Sequence, residues 1–312
     1  MLADTDPPMY SWTPLGNGLQ SLHTFGNPQP TCIMSILNVT PDSFSDGGEH
    51  ATADLSYLKD VVRKQIAAGA TIIDVGGQSS RPNAPDVSAE EEIRRILPAI
   101  EAIKSLPEAA SIAISVDTYR AAVAEAAVNA GAHIVNDISA GLLDAEMLPT
   151  VARLGCTYIM MHMRGTPATM MHKKNLDYGN SRAEFLRAVE NELADRVDAA
   201  QEAGIRRWRI ILDPGIGFSK TVEQNLCLLR LFNRLANNPR LRALPWLVGT
   251  SRKSFIGKIT GVEEPRERIW GTAATVTAAV QGRANIVRVH DVAEMAKVVK
   301  MADAIYGLDQ GG

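Results

Sequence analysis

The chain has 312 residues, of which 46% are hydrophobic and 21% charged, with a formal net charge of −3. This is the composition of an ordinary globular protein; it gives no basic field for nucleic acid or an anionic membrane surface, and no apolar stretch approaches the roughly 18–20 residues of a membrane span. Cys32, Cys156 and Cys227 lie far apart and form no CxxC pair, so buried thiols in a reducing, cytoplasmic compartment are expected rather than disulfides or zinc ligands.

Residues 1–30 carry Asp4, Asp6 and several prolines but no Lys or Arg, which argues against a secretory signal or mitochondrial presequence. They read as an irregular, partly ordered lead-in or a linker remnant, ahead of one domain over residues 31–308 and a short tail over 309–312. Eight short apolar runs then recur along the chain. Cys32–Leu37 stops at Asn38, Thr71–Val75 at Gly76 and Gly77, and Ile112–Val116 at Asp117. Ile134–Val135 stops at Asn136, Tyr158–Met161 at His162, and Ile210–Leu212 at Asp213. Trp246–Val248 leads into Gly249–Lys253, and Ile286–Val289 carries Arg288 and stops at His290.

Helix signals fill the gaps. Leu55, Leu58, Val62 and Ile66 share a face that ends at Gly69. Ser88 with Glu91, and Ser181 with Glu184, have capping-box spacing. Ala121–Ala130 ends at Gly131, and the helix begun at Ser181 stops at Gly204. Pro265 suits the first turn of a helix running toward Gln281. Asp291 and Glu294 open a last helix expected to bury Met295, Val299 and Ile305. The apolar runs lack period-two alternation, as strands covered on both faces do. A doubly wound open sheet shares this grammar, but eight strand–helix units favour a (β/α)8 TIM barrel, with polar strand ends gathered at one mouth. Its first and second βα loops, 38–53 and 76–87, exceed the usual two to six residues and suit lids or binding loops.

The first loop reads NVTPDSFSDGG, and its carboxamide, hydroxyl and carboxylate oxygens suit a hard cation such as Mg²⁺. Asn38 alone would read as a turn residue. The second loop sets Arg81 beside Ser79 and Ser80, a group able to grip phosphate oxygens, although a solvated arginine is the plainer alternative. Arg288 and His290 alternate on one run and so point to one face. Met161 is equally an apolar wall or core packing. His162 ends its run but stays outside the candidate site, and His23, His50, His133 and His172 read as structural or exposed.

These motifs resemble dihydropteroate synthase, the pterin-transferring family of folate biosynthesis, over roughly residues 30 to 306. NVTPDSFSDGG and TIIDVGGQSSRPNA match its first two signatures, and SVDT, IVNDISAG, MHMRGTP, ILDPGIGF, GTSRKSFIG and IVRVHDV follow in family order. Gln78 stands where Glu is frequent, and Asn83 where Gly is frequent. The resemblance implies joining 6-hydroxymethyl-7,8-dihydropterin diphosphate to 4-aminobenzoate, with Mg²⁺ as cofactor. It implies catalytic roles for Asp46, Arg81 and Lys253, and pterin binding by Asp117, Asn136, Asp213, Lys253, Met161 and Phe218. Diphosphate would be held by Asn38, Ser80, Arg81, Arg288 and His290, with Asn38 at the metal, and 4-aminobenzoate by Phe44, Pro82, Phe218 and Ser254. Sulfonamides should compete for that last pocket. The resemblance further implies a homodimer and allows a place in a multifunctional folate-synthesis polypeptide. Rival readings are a methyltetrahydrofolate–corrinoid methyltransferase on a similar barrel, against which the cation set weighs, and a non-catalytic pterin-binding relative.

Overall fold

The computed structural model describes residues 12–16, 18–23, 29–40, 55–78 and 87–306. Eight parallel strands form the centre: β3 (Cys32–Asn38), β4 (Ile72–Gly76), β5 (Ala113–Asp117), β6 (Ile134–Asp137), β7 (Thr157–Met161), β8 (Ile210–Asp213), β9 (Leu247–Val248) and β10 (Ile286–Val289). Their order, β8-β7-β6-β5-β4-β3-β10-β9, leaves β8 and β9 at the ends. Leu212 on β8 bridges in parallel to Trp246, just before β9, and its N–H donates to the Pro245 carbonyl at 2.9 Å. That contact brings the sheet round into a barrel, so the open-sheet alternative is excluded.

The continuous apolar runs follow from this closure, because each strand has an inner and an outer face and both are covered. Outward residues such as Ile73, Val75, Ile114, Val116 and Tyr158 join the large core beneath the helices. Inward residues Met34, Ile72, Ala113, Ile134, Ile159, Ile211, Leu247 and Ile286 form a separate cluster filling the lower barrel. Above them the inward positions turn polar: Asp74, Ser115 and then Asp117 on β4 and β5, Asn136 on β6, Asp213 on β8, and Arg288 on β10. Function and packing thus divide along the barrel axis.

The helices are α1 (Leu55–Ala67), α2 (Ala89–Lys104), α3 (Ala121–Ala130), α4 (Met147–Leu154), α5 (Lys173–Leu176), α6 (Arg182–Glu202), α7 (Val222–Arg230), α8 (Phe232–Ala236), α9 (Ser254–Thr260), α10 (Ile269–Gln281) and α11 (Val292–Tyr306). None among the described residues is long and apolar enough to cross a membrane. The capping box at Ser181 and Glu184 is complete, and a second, unforeseen one joins Thr221 and Gln224 before α7. At α2 only half of the expected box forms. Ser88 accepts from the Glu91 N–H, but the Glu91 carboxylate is drawn to Arg94 and Arg95 at 2.7 Å. Pro265 opens a separate 3-10 turn over Pro265–Glu267, and α10 begins only at Ile269. Ile305 is 56% exposed rather than buried. The inward stripe of α11 runs Val292, Met295, Val299 and Ala302 and passes on to Tyr306, which leaves Ile305 on the outer side.

Within the stretch expected to be irregular, β1 (Trp12–Pro14) and β2 (Ser21–His23) pair antiparallel as a short hairpin. Leu15 and Leu22 are buried in the inner-barrel cluster, with Leu19 packed against them, so the hairpin seals the barrel floor. The Thr157 hydroxyl ties it down by donating to the Pro14 carbonyl at 2.5 Å. No apolar periodicity marks so short a hairpin in sequence. Because Leu15 and Leu22 close a packed layer, Leu22→Ala should lower unfolding free energy by about 2–5 kcal/mol in urea titrations. A loss near zero would show that the hairpin does not seal the floor.

Candidate active site

Strand register sets the site. Gly76 lies opposite Asn38 on one side and Asp117 on the other, and Asp117 lies opposite Asn136, so these strand ends stand side by side. Asn38, Asp117, Asn136, Met161, Asp213, Phe218, Lys253, Ser254, Arg288 and His290 all line one cavity of about 530 Å³. Phe44, Asp46, Ser80, Arg81 and Pro82 lie outside the described residues.

Arg288 reaches across the barrel mouth. Its Nε donates to Asp74 Oδ2 at 2.6 Å and its Nη2 to Asp117 Oδ2 at 2.5 Å. Burial opposes the Arg288 cation, but Asp74 and Asp117 outweigh it and hold the guanidinium above its usual pKa. Burial pushes the Asp117 carboxyl up to about 7 against the pull of Arg288, and the neighbouring Asp74 adds to the rise. Asp213 is pushed up to about 6 by burial, opposed by the Gly215 N–H and by Lys253. The Gly215 N–H donates to Asp213 Oδ1 at 2.7 Å. Gly215 has φ +69 and a Cβ there would lie 2.0 Å from the His162 carbonyl oxygen, so only glycine fits this turn.

Lys253 is aimed by the turn before α9. Arg252 sits at φ 60, strained for a non-glycine residue, and its side chain is pinned by Asp291, with Nε to Oδ2 at 3.1 Å. The next residue, Lys253, then lies over the Phe218 ring, with Nζ 3.9 Å from the centroid. Ser251 Oγ accepts from the His290 N–H at 3.2 Å and lies 2.9 Å from His290 Nδ1, which holds the ring in place at the cavity wall. Met161 joins Ile138, Met163, Met170 and Phe218 in a small apolar cluster at the cavity, so it both packs and lines. Polar acceptors and cations therefore face one apolar-walled slot, an arrangement suited to a flat, hydrogen-bonding ring carrying an anionic substituent.

Three further residues belong to this environment and were not foreseen. Asp74 lies beneath Arg288. Gln78 lines the cavity with its carboxamide engaged by Tyr119 at 3.1 Å and by Arg120, which also pairs with the buried Glu92. Lys220 is fully enclosed and donates to the Phe218 carbonyl at 3.0 Å and to His162 Nδ1 at 2.9 Å. Its sequence signal was its place: a cation just before the Thr221 cap of α7 opposes the helix dipole and needs another reason. His162 is a buried support for Lys220 and passes its Nε2–H to Glu192 at 2.9 Å. Burial and the Lys220 charge press its pKa down to about 4.

The sequence profile of the family described as "Pterin binding enzyme" matches residues 34–290. A folic acid synthesis protein of Pneumocystis carinii is 52% identical over 279 residues, covering 89% of this chain and 36% of its own length. A dihydropteroate synthase of Synechocystis is 45% identical over 307 residues, covering 98% of each chain. The solved structure of Yersinia pestis dihydropteroate synthase with a sulfonamide drug superposes with a TM-score of 0.79 at 36% identity, covering 89% of this chain and 95% of that one. The chain spans about a third of the length of the fungal relatives and about half of plant folate-synthesis proteins.

Lys220 offers a direct test of the buried arrangement. Burial, against the pull of Asp213, presses its amine from 10.5 down to about 7. A lysine whose folded pKa is depressed contributes stability above its unfolded pKa, and that stability is lost as pH falls toward the folded value. The stability of the natural chain relative to Lys220→Met should therefore shrink from about pH 9.5 to about pH 7 in paired urea titrations. A constant difference would place the amine in water.

Proposed function

The chain belongs to the pterin-binding enzyme family, and on that premise we propose that it is a dihydropteroate synthase. It condenses 6-hydroxymethyl-7,8-dihydropterin diphosphate with 4-aminobenzoate to give 7,8-dihydropteroate and diphosphate. The observation that carries this reading is the meeting, in one cavity, of an acceptor set (Asp117, Asn136, Asp213) with two cations, Lys253 and Arg288, and the His290 ring. The acceptors match the N–H-rich edge of a pterin, and the cations match the diphosphate on its side arm.

In the reaction the exocyclic C–O bond breaks, the amine nitrogen forms the new C–N bond and sheds a proton, and diphosphate departs. Asp213 accepts from the 2-amino group and ring N–H, while Lys253 donates to the ring oxygen or N5 side from its seat on Phe218. Met161 and Phe218 wall the ring. Arg288 and the His290 ring meet the charge that grows on the leaving diphosphate, and fixed donors lower that barrier without reorganising. Bond breaking runs ahead, with the dihydropterin delocalising positive charge onto its methylene. The first and second loops, with Phe44, Asp46, Ser80, Arg81 and Pro82, then exclude water and help seat 4-aminobenzoate against Phe218 and Ser254. Sulfonamides compete at that same seat.

Mg²⁺ is part of this reading. Among the described residues no cluster of His, Cys, Asp and Glu is built to hold a metal, whereas the Asn38 carboxamide at the cavity wall supplies one hard oxygen. One such ligand suits a cation that travels on the diphosphate and keeps several waters, where it would neutralise leaving-group charge. A homodimer is supported by Ile259, Trp270 and Met301, exposed apolar side chains on α9, α10 and α11, with α10 packed against the other two. A cytoplasmic, reducing setting is supported by three buried free thiols, two of them, Cys32 and Cys156, pushed up to about 11 by burial. The longer fungal relative supports a place within a multifunctional folate-synthesis polypeptide.

Pyrophosphate release from the pterin diphosphate should depend on added 4-aminobenzoate. Release without the amine, or none with it, would reject the synthase and leave the methyltransferase or the non-catalytic reading. The two sets should also separate by mutation. Asp213→Ala should weaken an unphosphorylated pterin by more than about tenfold, or about 1.4 kcal/mol. Arg288→Ala should spare that ligand and weaken the diphosphate form. Calorimetry with both ligands distinguishes these outcomes, and a reversed pattern would reject the assignment.

A further inference from the structure

Asp74 does not line the cavity, yet two residues that do line it depend on one of its oxygens. It sits on β4, fully buried, one inward step below Gly76. Its Oδ2 accepts from Arg288 Nε at 2.6 Å and from Asn136 Nδ2 at 3.0 Å. Its Oδ1 is buried with no hydrogen-bond partner among the described residues. A buried carboxylate with one unsatisfied oxygen is costly, and Asp117 already supplies Arg288 with a counter-charge. Barrel stability and charge balance therefore leave the position of Asp74 unexplained.

Its geometry supplies the reason. A carboxamide has one accepting and one donating end, and rotation by half a turn exchanges them. Because Asn136 Nδ2 is committed to Asp74, its Oδ1 is the end left for the cavity. Asn136 thereby reads a donor rather than an acceptor on the ring. A guanidinium is planar, so fixing Nε on Asp74 and Nη2 on Asp117 fixes the plane in which the rest of Arg288 meets an anion. Resting on the synthase reading above, we propose that Asp74 is a positioning residue, its single Oδ2 setting both the amide orientation of Asn136 for the pterin edge and the plane of Arg288 for the diphosphate.

The test is a pair of double-mutant cycles read by calorimetry. The probes are 6-hydroxymethylpterin, and inorganic pyrophosphate with Mg²⁺. In Asp74→Asn, an amide replaces the carboxylate, so Arg288 loses a counter-charge and the Asn136 amide loses its strong acceptor. Both probes should weaken by about tenfold or more. In the Asn136→Ala background the same substitution should change pterin affinity by less than about twofold, and in Arg288→Ala it should change pyrophosphate affinity by less than about twofold. A merely structural role predicts the full loss in every background, and that result overturns the proposal. A natural chain that binds neither probe would instead sink the synthase reading, and the proposal with it. Should Asp74→Asn not fold, neutron diffraction from the unsubstituted protein with bound pterin decides the point. Deuterons on Asn136 Nδ2 should face Asp74, and a reversed amide overturns the assignment.

Discussion

A charged guanidinium can stay inside a barrel only if carboxylates meet it there, and the pairing of Arg288 with Asp74 and Asp117 is the constraint on which the site depends. The pairing ties β10, on one side of β3, to β4 and β5 on the other. It gathers cation and acceptors at the level where the lower barrel's apolar filling ends. Burial and Asp74 raise the pKa of Asp117, and the pairing with Arg288 opposes that rise. Charge, strand order and ligand chemistry are therefore one problem with one solution.

That solution needs a barrel that is dry below and polar above. The lower inward layer is apolar except for Thr157, which ties down the hairpin, and it is closed from beneath by Leu15 and Leu22. Side chains in the mouth are buttressed from outside the ring: His162, held by Glu192, steadies Lys220, and Asp291 pins the Arg252 turn that presents Lys253. A site built on strand ends and braced this way holds its polar groups at fixed positions.

Much of this was readable from residue order. All eight strands fall on apolar runs picked out from residue order, and the residues that follow those runs line the cavity at β3, β5, β6, β8, β9 and β10. Asn38, Asp117, Asn136, Asp213, Arg288 and His290 were visible because a polar residue closing an apolar run has few structural uses. Asp74 was not visible, since a single aspartate inside Ile72–Gly76 looks like an interruption of a strand rather than part of a site. Lys220 and Gln78 were missed for a related reason. Their partners, His162 and Arg120, lie 58 and 42 residues away, and no local pattern records such a meeting. The hairpin over residues 12–23 escaped because two strands of three residues show no period.

By itself the sequence determined the strand–helix rhythm, the doubly covered strands, the signature loops and the family they resemble, because each of these is written in local spacing and residue type. Tertiary structure alone decided that the sheet closes, that the hairpin plugs its floor, and that Arg288 falls between Asp74 and Asp117 across 214 and 171 residues of chain. Those outcomes rest on distance and burial, and a side chain acquires both only when the whole ring has assembled around it.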